Sequence, residues 1–161
     1  MLFRSEALSG TAYFGKMVAP TLSGRVAVVG AGTSDMGVCR EAVRTLAYHG
    51  IKASEIYDVG VAGIWRLMER VPDIVRHPVV IAVAGMDAAL ISVLGGLVPG
   101  LVIGVPTSVG YGVANRGETA LHAALASCAP GVPVVNIDNG YGAACAAIRA
   151  LRAADTLGRS P

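Results

Sequence analysis

The feature that most constrains this chain is a repeated unit. A short apolar run, a loop of glycine and small polar residues and a helix-length amphipathic stretch follow one another five times between Arg25 and Ala153. The apolar runs are RVAVVG (25–30), ASEIYDV (53–59), PVVIAVAG (78–85), LVIGVP (101–106) and VPVVNI (132–137). The spacing predicts helices over Met36–His49, closed by Gly50, over Ile64–His77 with a break at Pro72, from Asp87 through Leu94, over Glu118–Cys128 and over Ala143–Ala153. Strands alternating with helices of this length imply βαβ units joined by right-handed crossovers. The expected fold class is α/β, a three-layer doubly wound parallel sheet. Residues 1–24 lack periodicity and are expected to be an arm or linker, residues 25–153 the domain, and residues 154–161 a frayed tail.

That architecture accounts for an unusually apolar composition. The chain is 53% hydrophobic with a mean hydropathy of +0.59, and parallel strands covered on both faces read as continuous Val/Ile/Leu runs without any lipid. The 19 uncharged residues from Ala88 to Pro106 reach the length of a membrane span. Gly95, Gly96, Pro99 and Gly100 divide them into a helix followed by a strand, so no span is expected. Thirteen basic and eleven acidic residues are scattered, giving a net charge of +2 with no basic stripe, which argues against a nucleic-acid partner. Cys39, Cys128 and Cys145 have no zinc-ligand spacing and suit a reducing compartment. With no apolar signal-peptide core at the start, the expected location is the cytoplasm.

In a parallel α/β sheet, ligands bind at the carboxyl ends of the strands. Here all five strand exits are loops rich in Gly, Ser, Thr, Asp or Asn: GAGTSD (30–35), YDVGVAG (57–63), AGMD (84–87), PTSVGYG (106–112) and NIDNGYG (136–142). A domain without a ligand needs glycine at one or two tight turns, not at every exit. The candidate binding set is therefore Gly32, Thr33 and Ser34; Asp58 and Gly60; Gly85 and Met86; Ser108, Gly110, Tyr111 and Gly112; and Asn136, Asp138, Asn139 and Gly140. GAGTSD follows a strand and opens a helix, so its amides and the Thr33 and Ser34 hydroxyls can cradle a phosphate, or can simply cap the helix. Asp87 stands at a strand-to-helix turn in apolar surroundings, where desolvation would make a carboxyl a useful proton carrier and where capping is the plainer role. Cys128 closes a helix and is expected close to the mouth of the fifth strand; a lone cysteine is otherwise a small core residue, the reading given to Cys39 and Cys145. His49, His77 and His122 share no spacing and read as surface or packing residues.

The ordered motifs AGTSD (31–35), YDVGVAG (57–63), VAGMDAALISVLGGL (83–97), VIGVPTSVGYG (102–112) and SCAPGVPVVNIDNGYGA (127–143) resemble those of the LarB family. That family is the carboxylase/hydrolase of nickel-pincer nucleotide cofactor biosynthesis, and its catalytic domain is related to aminoimidazole ribonucleotide carboxylase, PurE. The resemblance implies a flavodoxin-like, PurE-like fold and a homo-oligomer, an octamer in both relatives. It implies nicotinic acid adenine dinucleotide as substrate, CO2 or bicarbonate as co-substrate and Mg2+ for the anhydride cleavage. The products would be pyridinium-3,5-biscarboxylate mononucleotide and AMP. It further implies Cys128 as the nucleophile that adds to the pyridinium ring, with Asp87 and Asp35 as acids of the carboxylation pocket. The chain departs from the families at three points. Asp87 stands where LarB has glutamate, GVAGIW replaces the Ser-Ala-His-Arg segment of PurE, and the region before the match is shorter than in LarB. The alternatives are a PurE-like carboxylase or mutase of another ribonucleotide and a non-catalytic nucleotide-binding subunit.

Overall fold

Four strands rich in Val, Ile and Ala form the parallel sheet that the apolar runs predict: β3 (Leu22–Gly30), β4 (Ile51–Ile56), β5 (Val79–Ala84) and β6 (Leu101–Pro106), in the spatial order β4-β3-β5-β6. They belong to a computed structural model that describes residues 3–158. Every residue of β5 is buried, because β3 and β6 pair with its two edges and helices cover both faces. Period-two alternation divides the core cleanly. Val26, Val28, Ile81 and Ile103 pack with Cys39, Ala42 and Leu46 of α1 (Met36–Tyr48) and with Ala143, Ala144 and Ala147 of α5 (Gly140–Leu157). Ala27, Val29, Val80 and Ala82 point the other way, to Leu67 and Ile74 of α2 (Ile64–Ile74), Leu90, Ile91 and Leu94 of α3 (Ala89–Leu97), and Ala120 and Ala124 of α4 (Glu118–Leu125). Each fully buried Leu or Ile contributes roughly 1.5–3 kcal/mol, so the two half-cores on one sheet supply the main driving force.

Helix α5 lies close to α1 because its inner face is alanine and its first residue is glycine. A Cβ at Gly140 would sit 2.4 Å from the carbonyl oxygen of Val38, so no larger residue fits there.

The structure departs from the sequence expectations in four places. The fifth apolar run is not a full strand: its register reduces to one parallel bridge between Val134 and Gly104, supported by hydrogen bonds from Gly104 N to Pro133 O and from Val135 N to Gly104 O. Pro130 and Pro133 remove two ladder donors from this segment, which confines it to a sheet edge. Residues 3–14 are not a bare arm but an antiparallel hairpin, β1 (Phe3–Glu6) and β2 (Thr11–Phe14), held on α1 by ion pairs from Arg40 and Arg44 to Glu6 and by the Tyr13 hydroxyl donating to the Arg44 carbonyl. The Arg44 guanidinium also lies 4.1 Å from the centre of the Tyr13 ring. Helix α2 runs through Pro72 without a break; both Pro72 and Met68 are exposed, so the carbonyl that loses its donor is hydrated. Helix α5 continues to Leu157, and the rest of the expected tail lies largely outside the described residues. Among the described residues no helix is long and apolar enough to cross a membrane.

Candidate active site

The strand exits meet in a cavity of about 600 Å3 at the carboxyl edge of the sheet, within the range of small-molecule sites. Of the residues expected to bind ligand, it gathers Gly32, Ser34, Gly60, Gly85, Met86 and Tyr111, with Asp35 and Asp87 of the expected catalytic set. Apart from Thr119 its remaining wall is apolar, including Val61, Ala62, Val109, Val113 and Ala114. Backbone strain collects at the same edge. Asp58, Met86, Ala88, Asn115, Arg116 and Asp138 have φ between 43° and 62°, and all six lie in loops that leave the sheet there. Left-handed backbone at residues other than glycine costs of order 1–3 kcal/mol each and persists where a site needs the geometry.

Asp35 is the pivot of the arrangement. It is only 3% exposed; its Oδ1 accepts from the Thr107 hydroxyl at 2.6 Å and its Oδ2 accepts from the Gly32 amide at 2.9 Å. Burial pushes its carboxyl above the usual range, the Thr107 hydroxyl and the Gly32 and Gly85 amides pull it back, and the negative Asp138 adds to the rise. One carboxylate thus ties together the first, third and fourth strand exits. Gly85 is obligatory beside it, since a Cβ there would lie 2.5 Å from Thr107 Oγ1 and 2.6 Å from the Val109 carbonyl oxygen. Thr107 is itself completely buried.

Asp87 stands at the rim, exposed, with Oδ1 accepting from the Ala89 amide at 3.2 Å. Asp87 closes the turn that leads into α3 rather than capping the helix, whose N-cap is Ala88, and the burial expected at Asp87 falls on Asp35 instead. Because the Gly32 amide is committed to Asp35, a phosphate at the first loop would be held by the remaining groups of Thr33 and Ser34, both exposed.

The other expected residues divide into three groups. Ser108 and Asp138 line an adjoining groove, where the Ser108 amide donates to Asp138 Oδ1 at 2.8 Å. Gly110 and Gly112, at φ 142° and 56°, shape the loop that carries Tyr111. Asp58, Asn136, Asn139 and Gly140 serve the scaffold: the Asp58 carbonyl accepts from Arg66 Nε at 2.7 Å, Asn136 Oδ1 accepts from the Ile137 amide, and Asn139 caps α5 through Gly142 N at 2.7 Å.

Cys128 is exposed and is not among the residues that line the cavity. Its neighbour Ser127 accepts from the Ser92 hydroxyl at 2.7 Å, and Ala129 Cβ lies 2.8 Å from where a Cβ on Gly95 would be, late in α3. Helix α4 leads away from the mouth, and the chain climbs back only along residues 133–138, at about 3.3 Å per extended residue. Cys39 is excluded as a nucleophile, since burial pushes its thiol up to about 12. His77 is buried and satisfied by Ser54 Oγ at 2.8 Å and by the Asp73 carbonyl. Thr107 is the functional residue that sequence reasoning missed, although it stands beside Ser108 in PTSVGYG and completes the strand end that points into the core.

A family model described as AIR carboxylase matches residues 25–159. An uncharacterized protein of Methanocaldococcus jannaschii is 48% identical over 122 residues, which cover 74% of this chain and 46% of that protein. The chain thus spans about half the length of the curated relative it matches. Among solved structures, Treponema denticola PurE superposes with a TM-score of 0.56 at 16% identity, covering 85% of this chain and 93% of that one. A substituted form of PurE2 from the same organism gives 0.55 at 16% identity, covering 88% and 94%. At this identity the likeness is one of fold: a parallel flavodoxin-like sheet with helices on both faces.

Proposed function

Because the chain belongs to the AIR carboxylase family, we propose that it carboxylates the pyridinium ring of nicotinic acid adenine dinucleotide at C5 and hydrolyses the phosphoanhydride. The products are pyridinium-3,5-biscarboxylate mononucleotide and AMP. The observation that carries this choice is the lining of the main cavity. Apolar walls from Val61, Ala62, Met86 and Val109 surround two carboxylates, Asp35 and Asp87, with no cationic side chain among the described lining residues. A flat cationic ring gains from both features, by apolar contact on its faces and by charge from Asp35 and Asp87. A neutral aminoimidazole gains only the first.

In the proposed sequence a cysteine thiolate adds to ring C4, forming a C–S bond and moving two ring electrons onto nitrogen. The resulting enamine attacks CO2 through C5, a carboxylate takes the C5 proton, and the nitrogen lone pair expels the thiolate to restore the pyridinium. Asp87, at the rim, is the candidate for the proton, and Asp35 holds the ring's charge. Water attack at one phosphorus breaks the anhydride. The thiolate is assigned to Cys128 of a neighbouring copy in a homo-oligomer, expected from the resemblance to be an octamer. Exposed apolar residues supply a contact surface: Ile64, Trp65 and Met68 on α2, and Tyr111 and Val113 at the mouth, the last two 81% and 90% exposed. Among the described residues no three His, Cys, Asp or Glu side chains gather to hold a metal. The Mg2+ expected from the resemblance therefore has no ready protein cage and would arrive on the substrate's phosphates.

Cys128 does not line the cavity of its own chain, which favours a second reading, a PurE-like carboxylase or mutase of another ribonucleotide, which the family match supports equally. One experiment separates them. Protein is incubated with the dinucleotide, bicarbonate and Mg2+, and products are read by mass spectrometry for wild type, Cys128→Ser, Asp35→Asn and the two variants mixed after subunit exchange. Wild-type product, loss in each variant and partial recovery in the mixture is the expected pattern. Product from Cys128→Ser removes the cysteine from the mechanism. Binding without product from wild type would favour a nucleotide-binding subunit instead.

A further inference from the structure

Beside the main cavity runs a second depression of about 470 Å3, and the two share Ser34 and Val109 as a common wall. Its far side is the turn of the N-terminal hairpin, Ala7 to Gly10, which precedes the segment matched by the family model. The turn sits close against the start of α1: a Cβ on Gly37 would lie 2.9 Å from the Leu8 carbonyl oxygen. Behind it, Arg40 donates to Glu6 at 2.7 Å and the Ser9 hydroxyl donates to the same carboxylate at 2.6 Å, so the wall is braced.

The chemistry of the groove differs from that of the cavity. Glu41 accepts from the Tyr141 amide through Oε2, and Asp138 accepts from the Ser108 amide through Oδ1. Each carboxylate thus keeps its second oxygen, and Ser34 and Ser108 line the same groove. No cationic side chain lines the groove among the described residues. Phosphate is therefore a poor occupant. Paired hydroxyls and exocyclic amines are good ones, since they donate to carboxylates in charge-assisted bonds.

We propose that the hairpin groove is a nucleoside subsite that holds the second, ribose-bearing half of a two-part ligand whose first half fills the main cavity. The two-part ligand rests on the functional reading above; the nucleoside preference of the groove does not. Ligand passing from cavity to groove would cross Ser34, which lines both.

The test uses Ala7→Trp, which fills the groove from an exposed turn position, and Glu41→Gln as an isosteric second variant. Affinities for nicotinic acid adenine dinucleotide, nicotinic acid mononucleotide and adenosine are measured by calorimetry, with adenosine also followed by amide chemical shifts. The wild type should bind the dinucleotide at least tenfold more tightly than the mononucleotide. Ala7→Trp should bring the two within about twofold and abolish adenosine shifts at Ser34 and Ser108, while Glu41→Gln should weaken the dinucleotide alone. If neither pyridine nucleotide binds but adenosine shifts vanish in Ala7→Trp, the groove stands and the functional reading falls. A ratio and an adenosine response that Ala7→Trp leaves unchanged would overturn the subsite.

Discussion

Replacing Thr107 with valine removes one buried hydroxyl and keeps the side-chain shape. The hydroxyl donates to Asp35 Oδ1 at 2.6 Å, and both residues are almost wholly shielded from water. A hydrogen bond to a charged group contributes about 1.5–3 kcal/mol net, and no water can take its place here. At pH 7 the variant should be less stable by that amount, a fall in Tm of roughly 3–12 °C for a domain of this size. The pH dependence is the diagnostic part. Asp35 already titrates above its usual value because of burial, and losing the Thr107 donor raises it further. A carboxyl whose folded value is raised binds more protons folded than unfolded, so its burial destabilises increasingly as pH rises through the folded value. The deficit of Thr107→Val should therefore be full at neutral pH and shrink as acid protonates Asp35. Asp138 and Cys39 face Asp35 and must be considered, but both are present in wild type and variant alike. Urea titrations at several pH values between 4 and 8, with Thr107→Ser restoring the hydroxyl, decide the matter. A deficit constant across that range, or one that serine does not rescue, would refute the assignment of Thr107 as the residue that stabilises the Asp35 charge.

Three further outcomes follow from the geometry. Asp35→Asn should flatten the pH dependence of stability, gaining on wild type above the raised carboxyl value and losing that advantage in acid, as read by thermal melts at pH 4 and pH 7. Gly85→Ala should lose about 1–3 kcal/mol or more through overpacking, because its new Cβ meets Thr107 Oγ1 and the Val109 carbonyl, and should weaken nicotinic acid mononucleotide binding in the same preparation. Iodoacetamide should label Cys128 in the native protein well before Cys39, whose thiol is buried and pushed up to about 12; peptide mapping after a short pulse measures the order.

The scaffold was largely legible because burial on two faces leaves a signature in single residues. Val79 to Ala84 are uninterruptedly apolar, and they form the central strand. Gly50 closes α1 at φ 76°, as a helix-ending glycine does. The pocket was legible at the level of loops, since strand polarity alone brings Gly32, Asp35, Gly60, Gly85 and Asp87 to one edge. Depth was not legible. Asp35 and Asp87 look alike in sequence, and only the docking of Thr107, from 72 residues away, makes one buried and leaves the other at the rim. The hairpin is not legible because strands of four residues carry too little alternation, and its stability comes from contacts to α1 that are remote in sequence. The place of Cys128 is not legible either, because α4 ends at Leu125 and the irregular segment after it, not a helix, carries the cysteine.

The 72-residue gap between Asp35 and Thr107 also sets an order of events. During synthesis Asp35 emerges early, and its Gly32 amide is already beside it, but its second donor arrives only when β6 is in place against β5. Until then the carboxylate has no reason to leave water, and the first loop has no reason to adopt its final shape. Asp138, which orders Ser108 directly after Thr107, comes later still. The recognition edge is therefore complete only once segments around residues 35, 107 and 138 have met, and a partly made chain exposes its apolar strands before it can offer a binding site. A nucleotide added during refolding should accordingly slow unfolding far more than it speeds the first collapse.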